Sequence, residues 1–284
     1  MDKNTNYEMK RIGHILLRVV ITAAMVIVTA AVTIGVMISC GFVVGGIACA
    51  VCVIICKAIS KAVKKSGTSN IDEELLPDIL RERIELKEYS SSRYFSENEL
   101  RSTNIIDGFT SSVGGGYIDG SYKSIHFTRC AVTLNMRDTE EVYNTDTDQY
   151  EKMISDKVIF SGYIVRTEHE FPQYAGVMAC SDSLNSAAVL RKGQKLREEN
   201  GISVFSQIGD DVPLTLVRGL VAVIEETGSP AAAVMTGKYL YVIVSTPKPE
   251  LSVNMLSSIK ANTEKLSEQT DKLARVVERM NILI

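Results

Sequence analysis

The sequence predicts an α+β protein: an N-terminal two-helix transmembrane hairpin, a mainly antiparallel-sheet soluble domain and a long C-terminal helix. Three observations predict it. No charged residue occurs between Val19 and Cys56, the texture from Ser111 to Ser245 is that of strands and tight turns, and neither glycine nor proline follows Pro249. The 284 residues are 45% hydrophobic and 23% charged with a formal net charge of −3. Such values are average for folded proteins and exclude collagen-like, disordered and disulfide-scaffold chains.

A single helix through the charge-free run would be about 57 Å long, whereas a bilayer core is about 30 Å thick. Two crossings joined by a turn at Ser39-Cys40-Gly41 fit, near Val19–Ile38 and Phe42–Ser60, with Lys57 snorkelling to the lipid surface. A cleaved signal peptide would have an apolar region of only about 7–15 residues. Lys10, Arg11 and Arg18 precede the run, and Lys57, Lys61, Lys64 and Lys65 follow it. Basic flanks stay in the cytoplasm, so two crossings satisfy both ends. The expectation is a two-pass inner or plasma membrane protein with both termini cytoplasmic. Up to Lys65 there are eight basic and two acidic residues, leaving 23 basic and 32 acidic beyond it. A basic collar suits the bilayer as a partner, and an acidic domain does not suit nucleic acid.

Four of the six cysteines lie in the hairpin (Cys40, Cys49, Cys52, Cys56), with Cys130 and Cys180 beyond it, so no secreted disulfide framework is expected. On a helix Cys49, Cys52 and Cys56 share a face with Gly41 and Gly45. That small-residue stripe is expected to pack against Ala24, Ala31 and Gly35, with acylation of Cys56 as the functional rival.

The hairpin occupies residues 1–66, the soluble domain 67–250 and the C-terminal helix 251–284. Lys57–Asn70 is a basic connector. IDEELLPDILRERI is acidic early and basic late, as a helix is, and Ser96-x-x-Glu99 has the form of a capping box before a short helix near Glu97–Thr103. Strands are expected from Tyr117, in Lys157–Arg166 and in Tyr174–Cys180. Pro213 and Gly228 bracket a helix. AAAVMTGKYLYVIVS forms two strands around Thr236-Gly237-Lys238.

The tail reads as one helix from about Leu251. Ile259, Leu266, Leu273 and Met280 recur every seven residues, with Leu256, Thr263, Thr270, Val277 and Ile284 in the complementary row. Val276 and Leu283 widen the stripe toward a face that docks on the chain's own sheet. Docking leads, and self-association into a homo-oligomer is the alternative.

Chemical motifs are sparse. Gly114-Gly115-Gly116 lacks the following Lys-Ser/Thr of a phosphate loop and reads as a flexible turn. Asp146-Thr147-Asp148, with Glu151 nearby, lacks the glycine and terminal glutamate of a calcium loop, so no metal site is expected and the segment reads as a solvated surface excursion. Glu168, His169 and Glu170 are the one weak catalytic candidate, a base beside two acids. His126 is expected as a cross-strand polar partner. No nucleophile elbow, HExxH, paired CxxC or dinucleotide fingerprint occurs, and no cofactor is expected.

Several short stretches resemble, in order, the bacterial membrane-anchored family catalogued as domain of unknown function 3137. Leu75–Leu80 and Phe95–Asn104 resemble its helical lead-in. Tyr117-Ile118-Asp119-Gly120-Ser121-Tyr122 resembles its tyrosine–glycine strand, Phe160-Ser161-Gly162-Tyr163-Ile164-Val165 its phenylalanine–glycine strand, and Lys238–Val244 its closing strand. The similarity covers about residues 70–250, and Glu168-His169-Glu170-Phe171 departs from a more basic family stretch. A paired apolar anchor before the domain is typical of that family, whose activity is unassigned. The resemblance therefore implies fold and topology. The function expected is a membrane-tethered binding or adaptor module for a protein partner, with a membrane-associated hydrolase using dispersed carboxylates as the alternative.

Overall fold

In the computed structural model, which describes residues 3–103, 106–144, 149–209, 212–249, 251–254 and 256–283, helix α1 spans Lys3–Cys40 and helix α2 spans Phe42–Arg81. The turn between them falls at Gly41. Its φ of +87° is one that glycine adopts without a Cβ penalty, and its N–H donates to Met37 O at 3.1 Å, closing the last turn of α1. Thr5–Ser39 and Phe42–Ile59 are long and apolar enough to cross a membrane.

The chain divides into two compact units, Met1–Asp78 with Ser252–Leu266, and Ile79–Leu251 with Ser267–Ile284. In the first, both helices outrun the expected crossings. Lys57–Asn70 is no connector: α2 continues through it and absorbs the IDEELLPDILRERI helix, Pro77 included. Gly67 costs about 1 kcal/mol in a helix interior, and Pro77 removes one backbone bond. Near Pro77, polar contacts tie α2 to α1. Tyr7 Oη donates to Asp78 Oδ2 at 3.2 Å and Lys10 pairs with Glu74.

The tail departs from expectation in the same unit. Helix α5 spans Ile259–Leu283, and the described residues between Leu251 and Ser258 are irregular chain. Asn262 explains the late start. Its Oδ1 accepts from Asn254 N–H at 2.7 Å while its Nδ2 donates to Asn254 O at 2.9 Å, tying the preceding loop back on the first turn. Ser258 Oγ accepts from Ala261 N–H at 3.2 Å, the geometry of an N-cap. Leu256, expected in the apolar row, is 82% exposed.

The second unit is built on one nine-stranded sheet. Its strands are β1 (Glu85–Ser90), β2 (Ser111–Tyr122), β3 (Ile125–Asn144), β4 (Gln149–Glu168), β5 (Val177–Ser181), β6 (Gln194–Glu199), β7 (Ile202–Ser206), β8 (Ala231–Met235) and β9 (Tyr239–Ser245). The spatial order is β1-β2-β3-β4-β9-β8-β5-β7-β6, and every neighbouring pair is antiparallel. The α+β class with a mainly antiparallel sheet is what the structure has.

Both faces of the central strands are buried. Cys130, Val132, Leu134, Phe160, Ile164, Val234 and Ile243 face a layer made by Phe95, Leu100, Ile106, Phe109 and Leu184. Leu100 lies on the short helix α3 (Glu97–Ser102), where Ser96 and Glu99 form the expected capping box. Helix α4 (Leu214–Thr227), stopped by Gly228 at φ +63°, packs on β5, β7 and β8. The C-terminal half of α5 lies beside α4: a Cβ on Gly219 would sit 2.5 Å from Leu283 Cγ, and Arg275 Nε pairs with Glu226 at 2.7 Å.

Two readings of the middle of the chain need correction. Gly114-Gly115-Gly116 is a piece of β2 and not a turn, with an irregular register between Gly115 and Ile118. A Cβ on Gly114 would meet Ala131 O at 2.4 Å and one on Gly115 would meet Ser91 O at 2.3 Å. The run is glycine because backbone crosses it closely. Residues 136–144 and 149–157, expected as a surface excursion, form a ladder, pairing with each other alone among the described strands. Asp146-Thr147-Asp148 lies outside the described residues.

Candidate functional site

Glu168 ends β4 opposite Tyr239, which places its carboxylate 2.9 Å from Lys238 Nζ. That hydrogen bond holds the exposed Glu168 carboxyl below its ordinary range. His169 is 8% exposed and engaged at both ring nitrogens. Its Nδ1 accepts from Phe171 N–H at 3.0 Å, and Nε2 lies 2.9 Å from Thr236 O, which can only accept, so Nε2 carries the proton. His169 is thus a clamp between the β4 end and the β8–β9 turn. An imidazole fixed in one tautomer by two backbone partners has no nitrogen left to move a proton. Glu170 is exposed beside it. Glu168, His169 and Glu170 border a cavity of about 310 Å³ together with His126, whose Nε2 sits 2.6 Å from Asp119 Oδ1 on the neighbouring strand. His126 is the cross-strand polar partner expected of it.

The two soluble-domain thiols are buried. Burial pushes Cys130 up to about 12 and raises Cys180, so both stay protonated and inert at neutral pH.

In the helical pair, Cys49, Cys52 and Cys56 lie half-buried, and Cys56 Sγ is 3.5 Å from Thr29 Oγ1 of α1. The facing residues are Met25, Thr29 and Thr33, with Ala24, Ala31 and Gly35 exposed instead. Gly41 is the turn and not part of the stripe, while Gly45 lies within α2. Among the described residues no cluster of three or more His, Cys, Asp and Glu side chains could hold a metal ion.

Along α5, Ile259, Leu266, Leu273, Val277 and Met280 are all buried within the single chain, as are Val276 and Leu283. Beside Leu273 lies a polar cavity of about 180 Å³. Arg129 of β3, Lys248 beyond β9 and Lys272 of α5 line it, along with the hydroxyl residues Thr227, Ser229 and Thr246. Arg129 is 3% exposed. Its guanidinium donates to Gly116 O at 3.3 Å and to Pro249 O, and lies 5.0 Å from the centre of the Tyr163 ring. Burial pushes Tyr163 up to about 12, against a partial lowering by Arg129. Sequence reasoning missed this cavity. Its residues come from five distant segments, so no local motif announces it.

Comparison with protein-family models, with curated proteins and with solved structures finds no match to this chain.

Proposed function

We propose that the chain is a membrane-tethered binding module that recruits a protein partner through the β3–β4 ribbon. In this reading α1 and α2 cross the bilayer as a hairpin, the sheet domain is cytoplasmic and both termini lie inside. The basic flanks and the membrane-length helices support the topology. The likeness to domain of unknown function 3137 accords with the same arrangement.

The observation that carries the reading is the free ribbon. Beyond Asn135, β3 pairs only with β4 for nine residues, a reach of roughly 30 Å at about 3.4 Å per residue. Among the described strands no third strand pairs with either outer edge of this ribbon beyond Asn135, which is what an added strand requires. Ile154 and Val158, on the same face as Val113, are 63%, 56% and 60% exposed. A two-stranded ribbon is marginal in water, so a partner strand stabilises it. The hydrolase alternative uses dispersed carboxylates such as Glu168 and Glu170, and the neighbouring His169 has both ring nitrogens engaged by backbone groups.

The test places a photo-crosslinking amino acid at Ile154 in membrane-inserted protein. One discrete protein adduct, lost when residues 138–155 are replaced by Asn-Gly with the domain still folded, supports recruitment. Absence of any adduct, together with hydrolytic turnover that disappears in E168A/E170A, supports the enzyme. Reporter fusions after Asn70 and at the C-terminus test the topology, and an external signal at either point overturns it.

A further inference from the structure

We propose that the groove between α1 and α2 is a site for an anionic phospholipid of the cytoplasmic leaflet, which lays one acyl chain along the groove and sets its phosphate at Lys57. The inference rests on the membrane hairpin proposed above and uses none of the ribbon.

The groove has a volume of about 500 Å³ and is lined by α1 between residues 22 and 33 and by α2 between residues 49 and 57. Met25, Val26 and Val53 give it an aliphatic surface. Its three threonines offer the groove little polarity. Thr22 Oγ1 donates to Arg18 O at 2.8 Å, Thr29 Oγ1 lies 3.5 Å from Cys56 Sγ, and Thr33 Oγ1 is covered by protein.

Depth selects the leaflet. At about 1.5 Å per residue, Thr22 lies about 28 Å from the Gly41 turn and Thr33 about 12 Å from it. With the turn at the far surface of a core about 30 Å thick, the groove covers the cytoplasmic half, and its length of about 16 Å is the depth of one leaflet. Lys57 lines the groove about 24 Å from the turn, so its stem must carry the ammonium outward to reach the interface.

This intramembrane cation has no acid of its own. No acidic residue occurs between Met9 and Ile71. Asp72 is about 22 Å from Lys57 along α2, and Thr29 facing Cys56 puts Glu8 about 31 Å away along α1. The remaining segment of this unit, Ser252–Leu266, attaches at Glu8 and Asp72 themselves, through the N–H groups of Ile259 and Val253. A charge inside a membrane calls for a partner. A second copy of the hairpin would bring another acid-free stretch and another Lys57, whereas an anionic headgroup supplies the missing charge from the leaflet in which the groove lies.

The chain has no tryptophan, so V26W places a single fluorophore in the groove, and I27W places one at nearly the same depth on an outward position. Each full-length variant is reconstituted into phosphatidylcholine vesicles containing a minor fraction of brominated phosphatidylglycerol or of brominated phosphatidylcholine, and quenching gives the relative affinity of the two lipids. The preference for phosphatidylglycerol should be about fivefold greater at V26W than at I27W, the effect of one basic residue at a membrane surface. K57Q should abolish that difference and K57R should keep it. V53W repeats the measurement from the facing helix should V26W fail to fold. Equal preference at groove and outward positions, or a difference that survives K57Q, overturns the site. A groove tryptophan shielded from both lipids while I27W is quenched by both gives the groove to a second copy and overturns it too. Quenching at neither position means that the hairpin is not in the bilayer, so that the topology fails and the site with it.

Discussion

The helical pair and the sheet domain use the same aliphatic residues in opposite ways. Ile38, Phe42 and Val43 are 81%, 83% and 80% exposed at the α1–α2 end, whereas Val242, Ile243 and Val244 of β9 are 0% exposed. Helices satisfy their backbone internally, so they tolerate an apolar solvent around them. A sheet with apolar side chains on both faces needs covering layers, which α3 with its loops and α4 with α5 provide. Glycines separate in the same way. A Cβ on Gly35 or Gly46 would meet nothing within 4 Å, whereas one on Gly162 would meet Val244 O at 2.1 Å. Apolar sequence alone therefore does not say which residues are inside. What the fold packs against each segment decides it.

The sharpest break of this contrast is a charge in each region. Ile243→Asp places an unpaired carboxylate in the sheet core and should cost about 4 kcal/mol or more in denaturant unfolding. Ile27→Asp, on an outward position 69% exposed, should leave the sheet domain's melting unchanged while impairing membrane insertion by about 3 kcal/mol. Equal melting of the two variants would dissolve the distinction.

Leu273→Asp extends the comparison to α5, where the side chain is 5% exposed. A loss of about 3 kcal/mol is expected, and removal of residues 251–284 should cause aggregation. A truncated chain that stays folded and turns from oligomer to monomer would instead make the helix a coiled coil.

Glycine substitution gives a smaller effect. Gly162→Ala should cost about 2 kcal/mol because the carbonyl of Val244 belongs to a paired strand and cannot yield cheaply, while Gly35→Ala should be neutral in the same melting assay. Smallest is Ser96→Ala, which removes the cap of α3 and should cost about 1 kcal/mol. A silent Ser96→Ala would mean that α3 is held by Leu100 and its packing alone.

Where a signal is local, the sequence by itself determined the outcome. The length of the charge-free run requires a reversal, and Gly41 supplies the φ that makes it. Ser96 and Glu99 cap α3, Gly228 stops α4, and Thr236-Gly237-Lys238 joins β8 to β9, each through interactions within a few residues. Strands β1 and β6 are not legible as strands because they are the sheet's two edges, and edge strands carry the charges of ELKEYS and QKLREE to discourage pairing with other chains. Tertiary structure alone decided the rest. Helix α2 runs unbroken through Lys57–Asn70 despite its basic, Ser- and Gly-bearing sequence, and the late start of α5 depends on Asn262 holding Asn254. His169 reads as a base in the sequence, but strand pairing brings Thr236 O to its ring and makes it a clamp. The Arg129 cavity exists only because a β2 glycine, two strands, the end of α4 and a turn of α5 meet there. Capping, turning and span length are written in neighbouring residues, whereas a hydrogen-bond partner or a cavity wall is set by which distant segments the fold makes adjacent.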